Sequence, residues 1–369
     1  MSLSVDVHVI QSVPPSNINR DDAGSPKTAV YGGVRRARVS SQAWKRAARR
    51  DFERYLDTSE FGVRTKRAVE LLSQRIAEIA PELSETAVAK ATAVLDVAGL
   101  KTKAKRNAAA DELELTEYLV FFSNPQLDKL AELAVESGDA APSKVAAKAI
   151  LKSGNSFDLA LFGRMVANDA DLNVDAACQV AHALSTHAVT NEFDYYTAVD
   201  DENPEAETGA GMIGTVEFNS ATLYRYATVS VAGLRDNLGD PEAVGRAVEA
   251  FLRSFIQSMP SGKQNTFANG TLPEAVVVMV REGRAVNLVG AFEEAVPNVG
   301  EGFVRGSCKQ LAKHAKDIAD AYADEPMAAW VVRVGERTAA LDELGEQVGL
   351  DALVGNVGQL VRASLTESQ

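Results

Sequence analysis

Cysteine is nearly missing from this 369-residue chain. Cys178 and Cys308 are its only two, too far apart to form the close pairs of a zinc site or the framework of a disulfide-stapled domain. That usage suits a reducing cytosol. No apolar run approaches the ~20 residues that span a bilayer. The first residues, MSLSVDVHVIQSV, alternate like a strand and lack the basic-then-apolar order of a secretory signal. The expectation is a cytoplasmic protein with no membrane partner. Histidine is also sparse. His182 and His187 are five apart, off the i, i+4 spacing of a helical metal pair, and no HExxH, CxxC or GxSxG motif occurs. The Gly262-Lys263 pair in MPSGKQNTFA lacks the leading glycine and following Ser or Thr of a nucleotide-binding loop. Its lysine, Gln264 and Asn265 can still offer an ammonium and two amides to a phosphate or base. Nothing brings a nucleophile to a base, so neither catalysis nor a cofactor is expected.

Positive charge is in short supply as well: 38 Lys and Arg stand against 51 Asp and Glu, a formal charge of −13. Against that deficit, residues 16–50 hold Arg20, Lys27, Arg35, Arg36, Arg38, Lys45, Arg46, Arg49 and Arg50, opposed only by Asp21 and Asp22. An acidic chain that gathers cation into one segment presents a surface for a polyanion.

The periodicity predicts a strand over 3–13, with Val5, Val7 and Val9 on one side and Asp6, His8 and Ile10 on the other. A long Pro- and Gly-rich loop follows, of the kind that is usually functional. Next come a strand over 34–39 and a helix capped by Ser40 or Ser41. In that helix Trp44, Ala47 or Ala48, Phe52 and Tyr55 face the core. Lys45 with Arg49, and Arg46 with Arg50, stack one turn apart. Like charges at that spacing oppose one another, whereas an anion lying across them would relieve the repulsion. Residues 60–180 read as helices, near 65–80, 85–98, 113–121, 126–137, 143–152 and 174–187. Lys144, Lys148 and Lys152 share one helical face. The cluster Lys101, Lys103, Lys105 and Arg106 reads as a solvated loop. Between Arg164 and Arg225 no Lys or Arg occurs, and Glu192, Asp194, Asp200, Asp201, Glu202, Glu205 and Glu207 crowd an extended loop with Pro204. Its Phe193, Tyr195 and Tyr196 suggest packing against a partner. Beyond it, paired strands are expected at 214–218 and 221–231, then a helix at 241–258. A hairpin of 275–281 with 285–289, a helix at 304–322, a strand at 328–334 and helices near 341–363 complete the chain. The class is α+β, with strands from both ends pairing across inserted helices.

The ordered run PPSN-NRDD, G-PKTAV-GG-RRAR-SSQ and KRA within residues 14–48, with LALFGRM at 159–165 and PSGKQNTFA, is similar to the CasC family. That family is the backbone subunit of the type I-E CRISPR surveillance complex, Cascade, in the RAMP superfamily. The resemblance implies an RRM-like palm (1–58 and 215–369), a large all-helical finger insertion (59–188) and a long extended thumb loop (189–214). It further implies a non-catalytic subunit that polymerises with copies of itself in a helical filament along CRISPR RNA, beside other Cascade subunits, target DNA and a separate helicase-nuclease. Mapped onto this chain, the RNA contacts would be Asn17, Arg20, Lys27, Ser40, Gln42, Lys45, Arg46, Arg49, Lys263, Gln264 and Asn265, with Met165 as a wedge at a kinked nucleotide. Lys144, Lys148 and Lys152 would meet duplex DNA, and Phe193, Tyr195 and Tyr196 a neighbouring subunit. The alternative is an RRM-like endoribonuclease that processes repeat RNA, with His8 as its acid–base group. A structural oligomer without nucleic acid would leave the cation cluster unexplained.

Overall fold

A computed structural model describes residues 3–104, 112–166, 168–198 and 212–366. Lys105 and Arg106, and the acidic loop residues Asp200, Asp201, Glu202, Glu205 and Glu207 with Pro204, lie outside the described residues. In chain order the elements begin with β1 (Leu3–Ser16), β2 (Thr28–Tyr31), β3 (Val34–Val39) and α1 (Ser41–Asp51). Then come β4 (Gly62–Thr65), α2 (Ala68–Ile79), α3 (Ala87–Val97), β5 (Thr102–Lys103), β6 (Leu115–Thr116), β7 (Val120–Ser123), α4 (Asn124–Glu136), α5 (Lys144–Lys152) and α6 (Phe157–Phe162). The second half holds β8 (Cys178–Val180), β9 (Ala183–Ser185), β10 (Glu192–Ala198), β11 (Met212–Ser230), α7 (Val231–Leu238), α8 (Pro241–Gln257), α9 (Gln264–Phe267) and β12 (Ala275–Glu282). It ends with α10 (Val304–Tyr322), β13 (Ala328–Arg333), β14 (Glu346–Gln347) and α11 (Leu350–Thr366).

The mixed α+β class follows from where β1 lies. Its neighbours are β11 and β12, both antiparallel, in the sheet order β14-β13-β12-β1-β11-β9-β3-β2. The expected alternation holds, but both faces are buried. Val5, Val7 and Val9 pack with Trp44, Phe251 and Phe255 beneath α1, α8 and α11. Ile10, Tyr224, Tyr226 and Val277 pack beneath α10 on the other side. Burying both faces leaves Asp6 and His8 to be satisfied by neighbours rather than water. The Asp6 carboxylate accepts from Tyr226 Oη at 2.8 Å and Val286 N at 3.0 Å, and Arg281 Nε lies 3.4 Å away. His8 Nδ1 meets Tyr224 Oη at 2.9 Å.

Four expectations are corrected. First, the insertion is not all-helical: β4 pairs with β7 and β5 with β6, so part of 113–121 is strand. The β-branched and aromatic Val120-Phe121-Phe122 outweighs the helix-forming Glu and Leu before it. At Gly62 a Cβ would collide with the Phe122 carbonyl, so the ladder depends on that glycine. Second, 174–187 holds β8 and β9, drafted as short strands against β11. Tertiary pairing overrides an alanine-rich helical pattern there. Third, 214–218 and 221–231 are one 19-residue strand, β11, not two. Fourth, 285–289 does not fold back as a hairpin strand. Both edges of β12 are taken, by β1 and β13, and Asn287 instead caps a 3-10 turn, Leu288–Phe292. The helices α2, α3, α4 and α5 do form, around a second core of Leu72, Ile76, Val94, Leu127, Leu130 and Leu151. Among the described residues no helix is long and apolar enough to cross a membrane.

Burial pushes the His8 imidazole down to about 3, with the Arg281 charge adding to the effect. A folded-state value below the ordinary one means the unfolded chain binds the proton first. Stability is therefore lost as pH falls from about 6.5 toward about 3, at about 1.4 kcal/mol per pH unit from this group. Asp6, raised by burial, works in the opposite sense as it protonates. Urea unfolding at stepped pH should show a steeper acid loss for the native chain than for His8→Leu; parallel curves would contradict it.

Candidate nucleic-acid interface

Three segments converge on one open groove of about 1230 Å³. The loop after β1 brings Arg20, Asp21, Asp22 and Lys27. Helix α1 brings Gln42, Arg46, Arg50 and Asp51, with Ala43 and Ala47 among its lining. The loop after α8 brings Ser258 to Lys263. Each segment is fixed locally. Ser40 caps α1 by accepting from Ala43 N, and its own N–H donates to Asn19 Oδ1 at 2.8 Å, tying loop to helix. Gly262 lies so close to the first loop that a Cβ would collide with the Ile18 carbonyl oxygen. Lys263 follows in the left-handed region, φ 51°, a conformation costly for a residue with a Cβ and common at functional sites.

The structure divides the two cation stripes of α1. Gln42, Arg46 and Arg50, each one turn apart, line the groove. Lys45 and Arg49 turn away. The Lys45 ammonium sits 5.8 Å from the Phe162 ring centre, and the Arg49 guanidinium lies 4.5 Å over Phe121 and bonds Asp158 Oδ2 at 3.1 Å. Asp158 also accepts from Gly62 N and Ser156 Oγ, so Arg49 fastens α1 to the β4–β7 ladder. The expectation that Arg49 meets RNA does not fit that commitment. Nor does it fit Asn17, which is fully buried and donates from Nδ2 to the Gly24 and Glu217 carbonyls. Of the other cations in this segment, Arg36 is buried too, donating to the carbonyls of Tyr31, Ser185, Phe292 and Glu293. Arg20, Lys27, Ser40, Gln42, Arg46 and Lys263 are brought together in the groove; Gln264 and Asn265 lie exposed just past its rim in α9.

Met165 is 80% exposed, which removes the ordinary reading of a lone methionine as core. Its neighbour Arg164 is buried and donates to Leu172 O, Phe121 O, Gln126 Oε1 and Leu151 O, so the chain is pinned while Met165 is left facing solvent. On α5, Lys144 is exposed, Lys148 is ion-paired with Asp169, and Lys152 lies 3.9 Å from Asp171.

The extended thumb is in part a β-hairpin arm, β10 against β11. Tyr196 opposes Gly214, and a Cβ there would collide with the Tyr196 ring, so tyrosine and glycine interlock across the strands. Phe193 and Tyr195 occupy the opposite face, 66% and 63% exposed. At the base of the arm the Glu217 carboxylate accepts from Ser25 Oγ at 2.8 Å and Asn191 Nδ2 at 3.1 Å, linking arm and groove loop.

The most consequential residue missed from sequence is Arg225. It is 1% exposed, and its guanidinium stands 3.8 Å over Trp44 of α1 and 4.6 Å over Phe255 of α8. It donates to Gln11 Oε1 at 2.6 Å and to the Phe255 carbonyl. Desolvation pushes it down to about 9, still protonated at neutral pH. An arginine inside an otherwise β-forming run, opposite the apolar side of β1, was its only sequence signal. His8, by contrast, is 1% exposed inside the sheet, which leaves the endoribonuclease alternative without its acid–base group. The thiols of Cys178 and Cys308 are buried and pushed up to about 12, so they act as small apolar fillers.

The chain matches the family model of CT1975-like proteins over residues 5–356. Among solved structures it is similar to a chain of a "CRISPR RNA-guided surveillance complex, pre-nicking", at 35% identity and a TM-score of 0.85, covering 96% of this chain and 100% of that one. It is also similar to a chain of a "CRISPR RNA-guided surveillance complex" at 31% identity and a TM-score of 0.74, covering 96% and 99%. No curated protein sequence matches it.

Replacing Arg225 by Leu should cost about 2–4 kcal/mol in urea unfolding, because Gln11 and the Phe255 carbonyl lose their donor and Trp44 and Phe255 lose a stacked cation. Arg50→Gln, at the groove surface, should stay within about 0.5 kcal/mol. Equal effects would show that Arg225 does not anchor the elements beneath the groove.

Proposed function

This chain belongs to the CT1975-like family of CRISPR RNA-guided surveillance (Cascade) subunits, and from that premise we propose that it is the non-catalytic subunit that polymerises along the guide RNA. The observation that carries the reading is the groove, where Arg20, Lys27, Arg46, Arg50 and Lys263 converge from three separate segments among small side chains, backbone and the carboxylates of Asp21, Asp22, Asp51 and Glu53. Such a surface grips a phosphate backbone and reads no base edge, as suits a protein whose sequence recognition is delegated to pairing. We assign the phosphate contacts to Arg20, Lys27, Arg46, Arg50 and Lys263, with Ser40, Gln42, Gln264 and Asn265 as hydrogen-bonding partners at the groove and its rim. Lys45 is a secondary contact from outside the groove. Met165 wedges beside the guide, and Lys144 with its stripe faces target duplex. The sheet with α1, α8, α10 and α11 serves as an RRM-like palm, the α2–α5 core as fingers and the β10–β11 arm as thumb. Copies of the chain then meet head to tail, a contact that does not close and so yields a filament, alongside other Cascade subunits and a recruited helicase-nuclease.

Arg46→Ala with Arg50→Ala should weaken binding about equally for unrelated guide sequences and lower the salt-dependence slope by roughly one to two. Loss confined to one RNA sequence would refute backbone reading. Arg49→Ala should instead lower the melting temperature, with a smaller change in that slope.

Phe193→Ala with Tyr195→Ala should abolish RNA-dependent assembly into long particles on size-exclusion chromatography while single-site RNA affinity stays intact. Tyr196→Phe should assemble normally, since its ring only has to cover Gly214. Normal assembly by the double variant would exclude aromatic docking through this face. If the acidic residues of the arm carry the docking instead, assembly of that variant should survive and fall with rising salt.

A further inference from the structure

The lysine face of α5 is not a free basic stripe. Lys144, Lys148 and Lys152 recur every fourth residue beside the buried Ala147 and Leu151 side, so all three share one flank of the helix, on which Lys148 is half-buried. Against that flank lies the 3-10 turn Ala170–Leu172, capped by Asp169, whose carboxylate accepts from Asp171 N at 3.2 Å. Asp169 ion-pairs with Lys148, and Asp171 Oδ2 lies 3.9 Å from Lys152 Nζ. The turn cannot drift off. The buried Arg164 donates to the Leu172 carbonyl at 2.8 Å, and Arg164 and Val174 exchange two backbone hydrogen bonds of 2.9 Å across the loop base. Asp169 is thus held on Lys148 and Asp171 lies within ion-pair reach of Lys152, while Lys144 is exposed and, among the described residues, has no ion pair.

We propose that Asp169 and Asp171 are resident counter-ions that set the selectivity of this face for duplex DNA. This rests on the reading of the lysine stripe as a duplex contact. A phosphate backbone reaching the stripe meets a net charge near that of one lysine rather than three. It gains the other two only by displacing tethered carboxylates instead of diffusible salt. Sequence-independent affinity scales with the number of phosphates neutralised, so one copy grips arbitrary duplex poorly. Many copies aligned on one guide hold the duplex at once, and weak contacts then add through effective concentration. The device suppresses stray duplex binding by single copies and preserves it for the assembled array.

The test compares the full chain with Asp169→Asn plus Asp171→Asn, using a short duplex DNA of unrelated sequence. Asparagine keeps the Asp169 cap acceptor and removes only charge. The expected result is duplex binding about tenfold or more tighter at low salt, with a log–log salt slope steeper by about two. Unchanged affinity and slope, with lysine removal (Lys144, Lys148 and Lys152 to Ala) lowering both, would overturn the counter-ion proposal alone. No effect of lysine removal would overturn the duplex reading and this proposal with it. Should the double variant melt early, Asp171→Asn, which leaves the cap untouched, must still steepen the slope by about one; its failure to do so also overturns the proposal.

Discussion

One buried guanidinium holds the groove together. Arg225 projects from β11 between Trp44 and Phe255 and bonds Gln11 of β1, so it touches all three elements from which the groove segments depart. The loop with Arg20 and Lys27 leaves β1, the Gln42–Arg46–Arg50 stripe rides on α1, and the Ser258–Lys263 loop leaves α8. Gln11 passes the constraint on, donating from Nε2 to the Thr271 carbonyl at 2.9 Å, and Thr271 Oγ1 returns to the Ser12 carbonyl at 2.8 Å. A buried arginine is costly to desolvate, and here two aromatic faces and two acceptors offset that cost. An aliphatic residue could fill the space without fixing the angle between helix and sheet.

The same economy of charge runs through the molecule. Nine cations in residues 16–50 suggest one continuous polyanion surface, yet they divide by role. Arg36 is consumed by four carbonyls inside the fold, Arg49 by Asp158 and Phe121, and Arg38 by His182 at 2.9 Å. Acids enter the groove as well: Asp21 shapes its own loop by accepting from Ala23 N and Ser25 N, and Asp51 accepts from Arg54. The groove is therefore a mixed surface whose cations sit at fixed points, which favours a backbone of defined path over any anion.

What the sequence made legible were features set by local rules. The β1 alternation, the Ser40 cap, the face of α1 bearing Trp44, the α5 lysine stripe and the convergence of Gly262-Lys263 with the basic segment were all readable from spacing or family likeness. What escaped depends on partners far away in sequence. Helical spacing puts Lys45–Arg49 and Arg46–Arg50 on adjacent stripes, but only Asp158 and Phe121, more than 70 residues on, decide which stripe faces the groove. Asn17 looks like a polar loop residue until Glu217, 200 residues later, offers its carbonyl. The segment holding β8 and β9 is alanine-rich, and only pairing with β11, and for β9 also with β3, makes strands of it. The counter-ions Asp169 and Asp171 sit in an irregular turn whose approach to α5 no periodicity encodes.

Strand β11 explains how groove and arm come to act as one body. Its 19 residues span about 60 Å if fully extended. One end pairs with β1 and carries Arg225 beneath the groove. At the middle, Glu217 and Asn219 bond Ser25 and Asn191, joining the groove loop to the root of the arm. The far end carries Gly214, over which Tyr196 closes. The bulge between Val13 and Ser16 in β1, at Pro14-Pro15, shifts the register before the last pair, Ser16 with Asn219, beyond which β11 runs on without β1. A rigid strand shared by groove and arm means the direction in which the arm points is fixed relative to the groove. In the proposed filament, a copy seated by its arm would therefore set its groove at a constant angle to the last. Repetition of that angle would generate a continuous helical track without any residue having to sense the filament as a whole.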